Sequence, residues 1–228
     1  MKLTWFGHSS FKLETALETI YVDPVRTNKL LGTVLEDERS ADIVLVSHSH
    51  WDHFDPRAVF QVSKETTRLI GPEEIVDKFS KELTFYVSTN IELKNYLGKM
   101  EIVRPGTEKT MKNGNIKVLK ASEGVCFLVE TDYRVLFMGD STLSVEMMRT
   151  RPDLIVIPYW ALKQTEEQTK IKMLPKKTKI IVCHYHSNEM GLSNFFVAEE
   201  DLEKTISTNL NVIRLNKAQT LSLDKLLF

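Results

Sequence analysis

Short apolar runs separated by polar breaks dominate the first part of the chain. The runs Lys2–Phe6, Phe11–Glu14 and Thr19–Asp23 predict three strands of a meander. The next run, Asp42–Ser47, is almost continuously apolar, which is typical of a strand buried on both faces. The pattern therefore predicts a sheet in the first part of the chain.

Helix start signals follow this buried strand. Asp55 is a good N-cap, Pro56 suits the first helical position, and the pattern continues over Arg57–Ser63. A second helix is predicted to begin at Pro72, because the acidic residues that follow it favour the positive end of the helix dipole.

The second part of the chain repeats the theme of strands followed by helices. Asn113-Gly114 is a hairpin signal, and Thr165 with Gln168 resembles a capping box that opens a helix ending before Pro175. The other predicted elements are the strands Gly124–Glu130, Arg134–Met138, Leu154–Ile157 and Lys179–Cys183 and a last helix over Phe195–Thr208. Both halves thus predict an α/β or α+β fold of packed sheets covered by helices.

Composition adds limits to this picture. The 228 residues, with 42% hydrophobic residues, predict one domain over residues 1–228 with a large core. A net charge of -1 gives no reason to expect a nucleic-acid partner, and no apolar run predicts a membrane segment. Cys126 and Cys183 are predicted to be buried thiols in a reducing compartment, which indicates a cytoplasmic protein. The oligomeric state is left open.

Histidines and aspartates cluster directly after the strand Asp42–Ser47. His48, His50, Asp52 and His53 fall within six residues. Alternate residues of an extended segment point to the same side, so His48 and His50 can approach one ion while the following turn aims the other two at a second. Burying these groups without a metal would leave many polar atoms unsatisfied. The cluster therefore predicts a site for zinc, iron or manganese.

Two distant residues occupy similar places at the ends of apolar runs. Asp140 follows one predicted strand and His184 follows another. Strand ends that converge on one edge of a layered fold are where sites are built. Without the cluster, Asp140 would be interpreted as a helix N-cap and His184 as a surface residue.

These motifs together resemble the metallo-β-lactamase fold superfamily, and within it the small metal-dependent hydrolases that include L-ascorbate-6-phosphate lactonase-like proteins. The resemblance spans nearly the whole chain and implies a four-layer αββα sandwich with a metal site at one edge. Its motifs, in chain order, are Gly7-His8-Ser9-Ser10, Tyr21-Val22-Asp23-Pro24, the His-x-His-x-Asp-His run His48–His53, Gly139-Asp140-Ser141 and Cys183-His184-Tyr185.

The resemblance also implies roles for individual residues. One or two ions are expected, with Zn²⁺ first and Mn²⁺ or iron as alternatives. Asp23 would support the motif loop, although an aspartate in a turn before proline explains it equally well. The implied ligands are His48 and His50 for the first metal, Asp52, His53 and His184 for the second, and Asp140 as a bridge between both.

The chain departs from the family pattern at one position. The family usually has a further histidine between the motif and the bridging aspartate, but no histidine lies between His53 and His184. Glu123 or Ser122 could substitute, and glutamate is chemically the better ligand. Alternatively the first site is weak and only the second metal binds firmly. The simplest interpretation of Glu123 alone is a solvated loop residue.

Other residues are candidates to line the pocket. His8 follows a glycine turn at a strand end, and His186 lies two residues beyond the predicted ligand His184. Aromatic side chains could wall the pocket, although packing explains them equally well. They are Tyr159, Trp160 and Tyr185.

The predicted function is hydrolysis of an ester, lactone or phosphodiester bond of a small-molecule substrate by metal-bound hydroxide, with Asp52 orienting the water. The chain has no Gly-x-Ser-x-Gly nucleophile motif and no glycine-rich phosphate loop, which favours this route over a covalent one. One alternative is a non-catalytic or regulatory metal-binding protein with an incomplete site. A di-iron oxidoreductase is a further alternative, although the chain has no room for a flavin partner domain.

Overall fold

The computed structural model describes residues 1–28, 31–37, 39–78, 100–185 and 210–226. The strands found there form two seven-stranded sheets. The first sheet contains β1 (Lys2–Gly7), β2 (Ser10–Glu14), β3 (Thr19–Val22), β4 (Ala41–Leu45), β5 (Ser63–Gly71), β6 (Glu101–Ile102) and β14 (Gln219–Ser222). The second contains β7 (Glu108–Met111), β8 (Gly114–Lys120), β9 (Val125–Glu130), β10 (Arg134–Phe137), β11 (Leu154–Pro158), β12 (Lys179–Cys183) and β13 (Val212–Ile213).

Both sheets are mixed. The first has the order β14-β1-β2-β3-β4-β5-β6, antiparallel from β14 to β3 and parallel from β3 to β6. The second has the order β13-β12-β11-β10-β9-β8-β7, antiparallel from β7 to β10 and parallel from β10 to β13. The hairpin predicted at Asn113-Gly114 is confirmed, since Met111 pairs with Gly114.

Strand β4 has apolar residues on both faces, as its sequence predicts. Ile43 and Leu45 belong to the large core that the two sheets share. Val44 and Val46 point the other way, into a smaller core that includes residues of the helix Pro56–Val62. Each fully buried aliphatic side chain contributes about 1.5–3 kcal/mol, so burial on both faces fixes the strand that carries the histidine cluster.

The helices cover the sheets. Within the described residues they span Pro56–Val62, 73–78, Val145–Arg149, Tyr159–Leu162, Thr165–Lys172 and Leu223–Leu226. Asp55 caps the first helix by accepting a hydrogen bond from Arg57 N. None of these helices is both long and apolar enough to cross a membrane. The helix predicted over residues 195–208 lies outside the described residues.

Two predictions need correction. The capping box at Thr165 is wrong, because Gln164 is the N-cap, without a side-chain cap bond, and Thr165 already lies in the helix. The helix ends at Lys172, before Pro175, as predicted. Acidic residues in the first turn complement the helix dipole instead. The other correction is β5, which the sequence pattern missed because Lys64–Thr66 are polar and partly or fully exposed.

Candidate metal centre

The histidine cluster begins where β4 ends, and Asp23 at the end of β3 holds it. Asp23 Oδ1 accepts from Ser47 N and Oδ2 accepts from Ser47 Oγ, both at 2.7 Å. His53 Nδ1 also donates to Asp23 Oδ2 at 2.7 Å. Because the Ser47 hydroxyl proton goes to Asp23, Ser47 Oγ is left to accept from His48 Nδ1 at 3.0 Å. Both imidazoles thus carry a proton on Nδ1, which leaves Nε2 as the ring atom that faces the centre of the cluster.

The Nε2 atoms face a carboxylate that follows β10. Asp140 Oδ1 lies 3.4 Å from His53 Nε2 and 3.3 Å from His184 Nε2. Asp140 Oδ2 lies 3.9 Å from His48 Nε2. We call these four residues the buried group, since the side-chain exposure of the three histidines is 7% or less.

The atoms of the buried group face one another without hydrogen bonds. Within the described residues, Asp140 Oδ1 and the Nε2 atoms of His48, His53 and His184 have no hydrogen-bond partner. Buried polar atoms without partners are costly and rare in native proteins. Imidazole nitrogens and a carboxylate oxygen are preferred zinc ligands, so the donor set fits a transition-metal ion.

The pKa values of the buried group are shifted in opposite directions by burial and by the neighbouring charges. Burial lowers the pKa of His53, but the carboxylates of Asp23 and Asp140 outweigh it and raise the pKa to about 10. Burial and the charge of His53 lower the pKa of His48 to about 4. Burial would raise the pKa of Asp140, yet the neighbouring histidines hold it below its usual range. Asp140 is therefore ionised and His48 neutral at pH 7, as metal ligands must be, whereas His53 has to release its proton when an ion binds.

Asp52 lies on the His184 side of the centre. Its Oδ2 accepts from His8 Nε2 at 3.0 Å, and its backbone carbonyl accepts from Ser9 Oγ. The His8 ring packs on the His184 ring with centroids 4.2 Å apart. The donor atoms of His8, Asp52 and His184 lie within 4.8 Å of one another. The β1–β2 turn therefore contributes to the centre through His8.

His50 and Glu123 form a second, solvent-facing arrangement, which we call the exposed pair. His50 Nδ1 lies 3.3 Å from Glu123 Oε2, and both side chains are 54% exposed. Ser122, the other substitute that the sequence offers, bonds elsewhere: its N lies 3.0 Å and its Oγ 3.3 Å from Ser141 Oγ.

Two glycines allow the loops around the motif to approach it closely. Gly124 has φ +60°, and a Cβ there would lie 2.2 Å from Ser47 O and 2.5 Å from His48 Cβ. At Gly139, with φ +54°, a Cβ would lie 3.0 Å from Ser47 Cβ. Sequence reasoning missed both requirements, because the neighbour of each glycine is distant in the chain.

Three site residues that are not glycine adopt left-handed backbone conformations. They are His8 (φ 46°), Asp23 (φ 46°) and His184 (φ 59°). Such conformations cost about 1–3 kcal/mol each and cluster at functional sites, where the surrounding structure enforces them. The backbone hydrogen bond from His184 N to His8 O, 3.3 Å long, helps to enforce two of these conformations.

The aromatic candidates lie mainly in the core. Tyr185 packs on Trp5 with ring centroids 4.9 Å apart and donates to Leu215 O at 3.0 Å. Tyr159 is buried and Trp160 partly buried against the same core. Trp51, inside the motif, is 56% exposed and was not singled out from the sequence. His186 lies outside the described residues.

Comparison with known proteins agrees with this geometry. A family model described as Beta-lactamase superfamily domain matches residues 2–178. The chain belongs to the beta-lactamase superfamily. The superfamily and the αββα sandwich predicted from the sequence are thereby confirmed, whereas the lactonase-like branch and the single domain over 1–228 stay predictions.

Relatives of this chain match it over most of its length. A UPF0173 metal-dependent hydrolase from a Polaromonas species is 25% identical over 217 residues, covering 83% of this chain and 79% of that protein. Another from Archaeoglobus fulgidus is 26% identical, covering 82% and 84%. The structure of a novel metallo hydrolase from Ignicoccus hospitalis has a TM-score of 0.67 at 20% identity, covering 96% and 97%.

Proposed function

We propose that this chain is a metal-dependent hydrolase that cleaves an ester, lactone or phosphodiester bond of a small substrate. The observation that carries the proposal is the buried group, whose unpartnered imidazole nitrogens lie 3.3–3.9 Å from the carboxylate oxygens of Asp140. The names of the relatives, metal-dependent hydrolases, support the reaction class. They specify neither the ion nor the substrate; the donor set favours Zn²⁺, with Mn²⁺ or iron as alternatives.

The proposed ligands are the six residues that the motifs contribute. They are His48, His50, Asp52, His53, Asp140 and His184. A bound divalent cation lowers the pKa of water and stabilises negative charge on a reacting oxygen. The protein's own contribution is to fix the donors: Asp23 holds the ring of His53, and His8 holds one oxygen of Asp52.

Asp52 is the proposed catalytic residue. Burial raises its pKa, but the hydrogen bond from His8 and the charge of His53 hold it well below its usual range. An ionised Asp52 accepts hydrogen bonds at neutral pH. With Oδ2 committed to His8, Oδ1 is the oxygen we assign to orient an attacking water.

The experiment combines metal content with turnover. Purified protein, chelator-treated protein and protein reloaded with Zn²⁺ or Mn²⁺ are assayed on a panel of esters, lactones and phosphodiesters. We expect turnover on one class that chelation removes and metal restores, and that His53→Ala abolishes. Glu65→Gln, an exposed change on β5, is the control that keeps full activity.

The alternative function is a non-catalytic metal-binding protein, which the missing histidine favours. It predicts stoichiometric metal without turnover on any substrate of the panel. Turnover that His53→Ala abolishes rejects it. Protein that binds no metal under metal-replete conditions rejects both functions.

A further inference from the structure

Glu123 lies between the motif and Asp140, the interval in which the family that the sequence resembles has a histidine that this chain lacks. We propose that Glu123 is the third protein donor, together with His48 and His50, of a metal site distinct from that of His53, Asp140 and His184. By the order in which the sites are expected to fill, the His53 site takes the first ion and the Glu123 site takes the second. This inference rests on the proposed function and deepens it, because it makes the centre a two-metal one with unequal halves.

The geometry brings three donors to one side of the motif. One donor atom each from His48, His50 and Glu123 lies within 4.8 Å of the other two. His50 Nδ1 and Glu123 Oε2 are 3.3 Å apart, which is longer than a good hydrogen bond and leaves room for an ion beside both. The rings of His48 and His50 lie nearly at right angles, with centroids 4.6 Å apart.

The loop that carries the carboxylate is fixed on both sides of it. Before Glu123, Ser122 N donates to Ser141 Oγ at 3.0 Å. After it, Val125 N donates to Ser47 O at 2.9 Å, beside the close approach of the intervening glycine to the motif. Glu123 therefore extends from an anchored turn, although its side chain is exposed.

The substitution of carboxylate for imidazole has chemical consequences. Two neutral histidines with one carboxylate carry a charge of -1, so the site with a divalent cation has a net charge of +1, rather than the +2 that three neutral histidines would leave. Carboxylate ligands suit Mn²⁺ relatively better, whereas imidazole suits Zn²⁺. Because two donors are exposed and must be ordered on binding, this site is expected to fill after the buried one.

Metal titration of metal-free protein separates the two sites. Isothermal titration calorimetry with Zn²⁺ and with Mn²⁺, checked by metal content after desalting, is expected to give two ions per chain with unequal affinities. In Glu123→Gln the second ion is expected to bind about 100-fold more weakly, since losing a ligand costs at least as much as losing a supporting contact, while the first is unchanged. The matched control Glu65→Gln should keep both ions.

A second variant tests the donor role rather than the charge alone. Glu123→His restores an imidazole and is expected to recover the second ion, with a stronger preference for Zn²⁺ over Mn²⁺ than the unaltered protein has. The inference is overturned if Glu123→Gln binds both ions unchanged, if Glu123→His binds the second ion no better than Glu123→Gln, or if the unaltered protein binds one ion only. Protein that binds no ion at all would instead overturn the proposed function.

Discussion

The buried group and the exposed pair share one motif, but the protein holds them in different ways. His53 in the buried group is fully enclosed and donates to Asp23, which itself organises the backbone at Ser47. The exposed pair consists of two half-exposed side chains held by the loops beneath them. A donor fixed by a buried network needs little ordering when an ion binds, whereas an exposed side chain loses rotamer freedom. Donors of similar chemistry can therefore form metal sites of unequal affinity.

The largest effect is expected from the carboxylate shared by the histidines of the buried group. Asp140→Asn keeps the shape but removes the negative charge opposite three imidazoles, so we expect metal content to collapse and kcat/KM to fall by about 1000-fold. Metal analysis and steady-state kinetics measure both. Asp132→Asn, an exposed change in the β9–β10 turn, is the matched control. Retention of both ions by Asp140→Asn would contradict the central position of Asp140.

The next effect concerns the support beneath a ligand. Asp23→Asn removes the acceptor that fixes the His53 tautomer, and supporting residues of this kind typically contribute about 10–100-fold to metal affinity. Calorimetry should show that loss at the first ion. If Asp23 had a purely structural role, its replacement would not change the tautomer of His53. If Asp23 positions the ring, ¹⁵N NMR of the imidazole should show that the proton of His53 has moved to the other ring nitrogen. An unchanged tautomer would argue against the positioning role.

A backbone change tests the junction between the two regions. Gly124→Ala places a Cβ against Ser47 O, so the loop must move away from His48, at an expected cost of about 1–3 kcal/mol. Gly106→Ala is a matched control, because Gly106 also has a positive φ (+90°) but no atom within 4 Å of the added Cβ. Urea denaturation compares the two. Equal stability losses would show that the close approach at Gly124 does not matter.

The smallest effect is expected from the exposed pair. His50→Ala removes one of three donors at a site open to solvent, so the second ion should bind at least about 10-fold more weakly. The first ion should be unaffected, because His50 makes no contact with Asp140 among the ion pairs of the described residues. Loss of both ions on titration would mean that the two regions are not separable.

Sequence pattern accounts for much of the fold and for the buried group. Continuous apolar runs marked β4 and β9 to β12, because strands buried on both faces have few polar positions. Histidine spacing and strand ends pointed to His53, Asp140 and His184. The sequence pattern did not predict strand β5, because its first half is polar and only its pairing with β4 identifies it as a strand.

The exposed pair shows why sequence reasoning stops where it does. A glutamate in a polar loop is most simply interpreted as solvated, and nothing local distinguishes Glu123 from other such residues. The proximity of Glu123 to His50 depends on the close approach of Gly124 to Ser47 and on the hydrogen bond from Ser122 N to Ser141 Oγ. The first contact joins segments from different sheets and the second joins two loops 19 residues apart, so both follow from tertiary packing rather than from local pattern.

The most direct test of the account is a crystal structure of metal-loaded protein with anomalous diffraction at the metal edge. We expect a strong anomalous peak among His53, Asp140 and His184, and a weaker one among His48, His50 and Glu123 that disappears in Glu123→Gln. A structure without a peak in the buried group would contradict the metal centre itself. Two equal peaks that persist in Glu123→Gln would contradict the inequality of its halves.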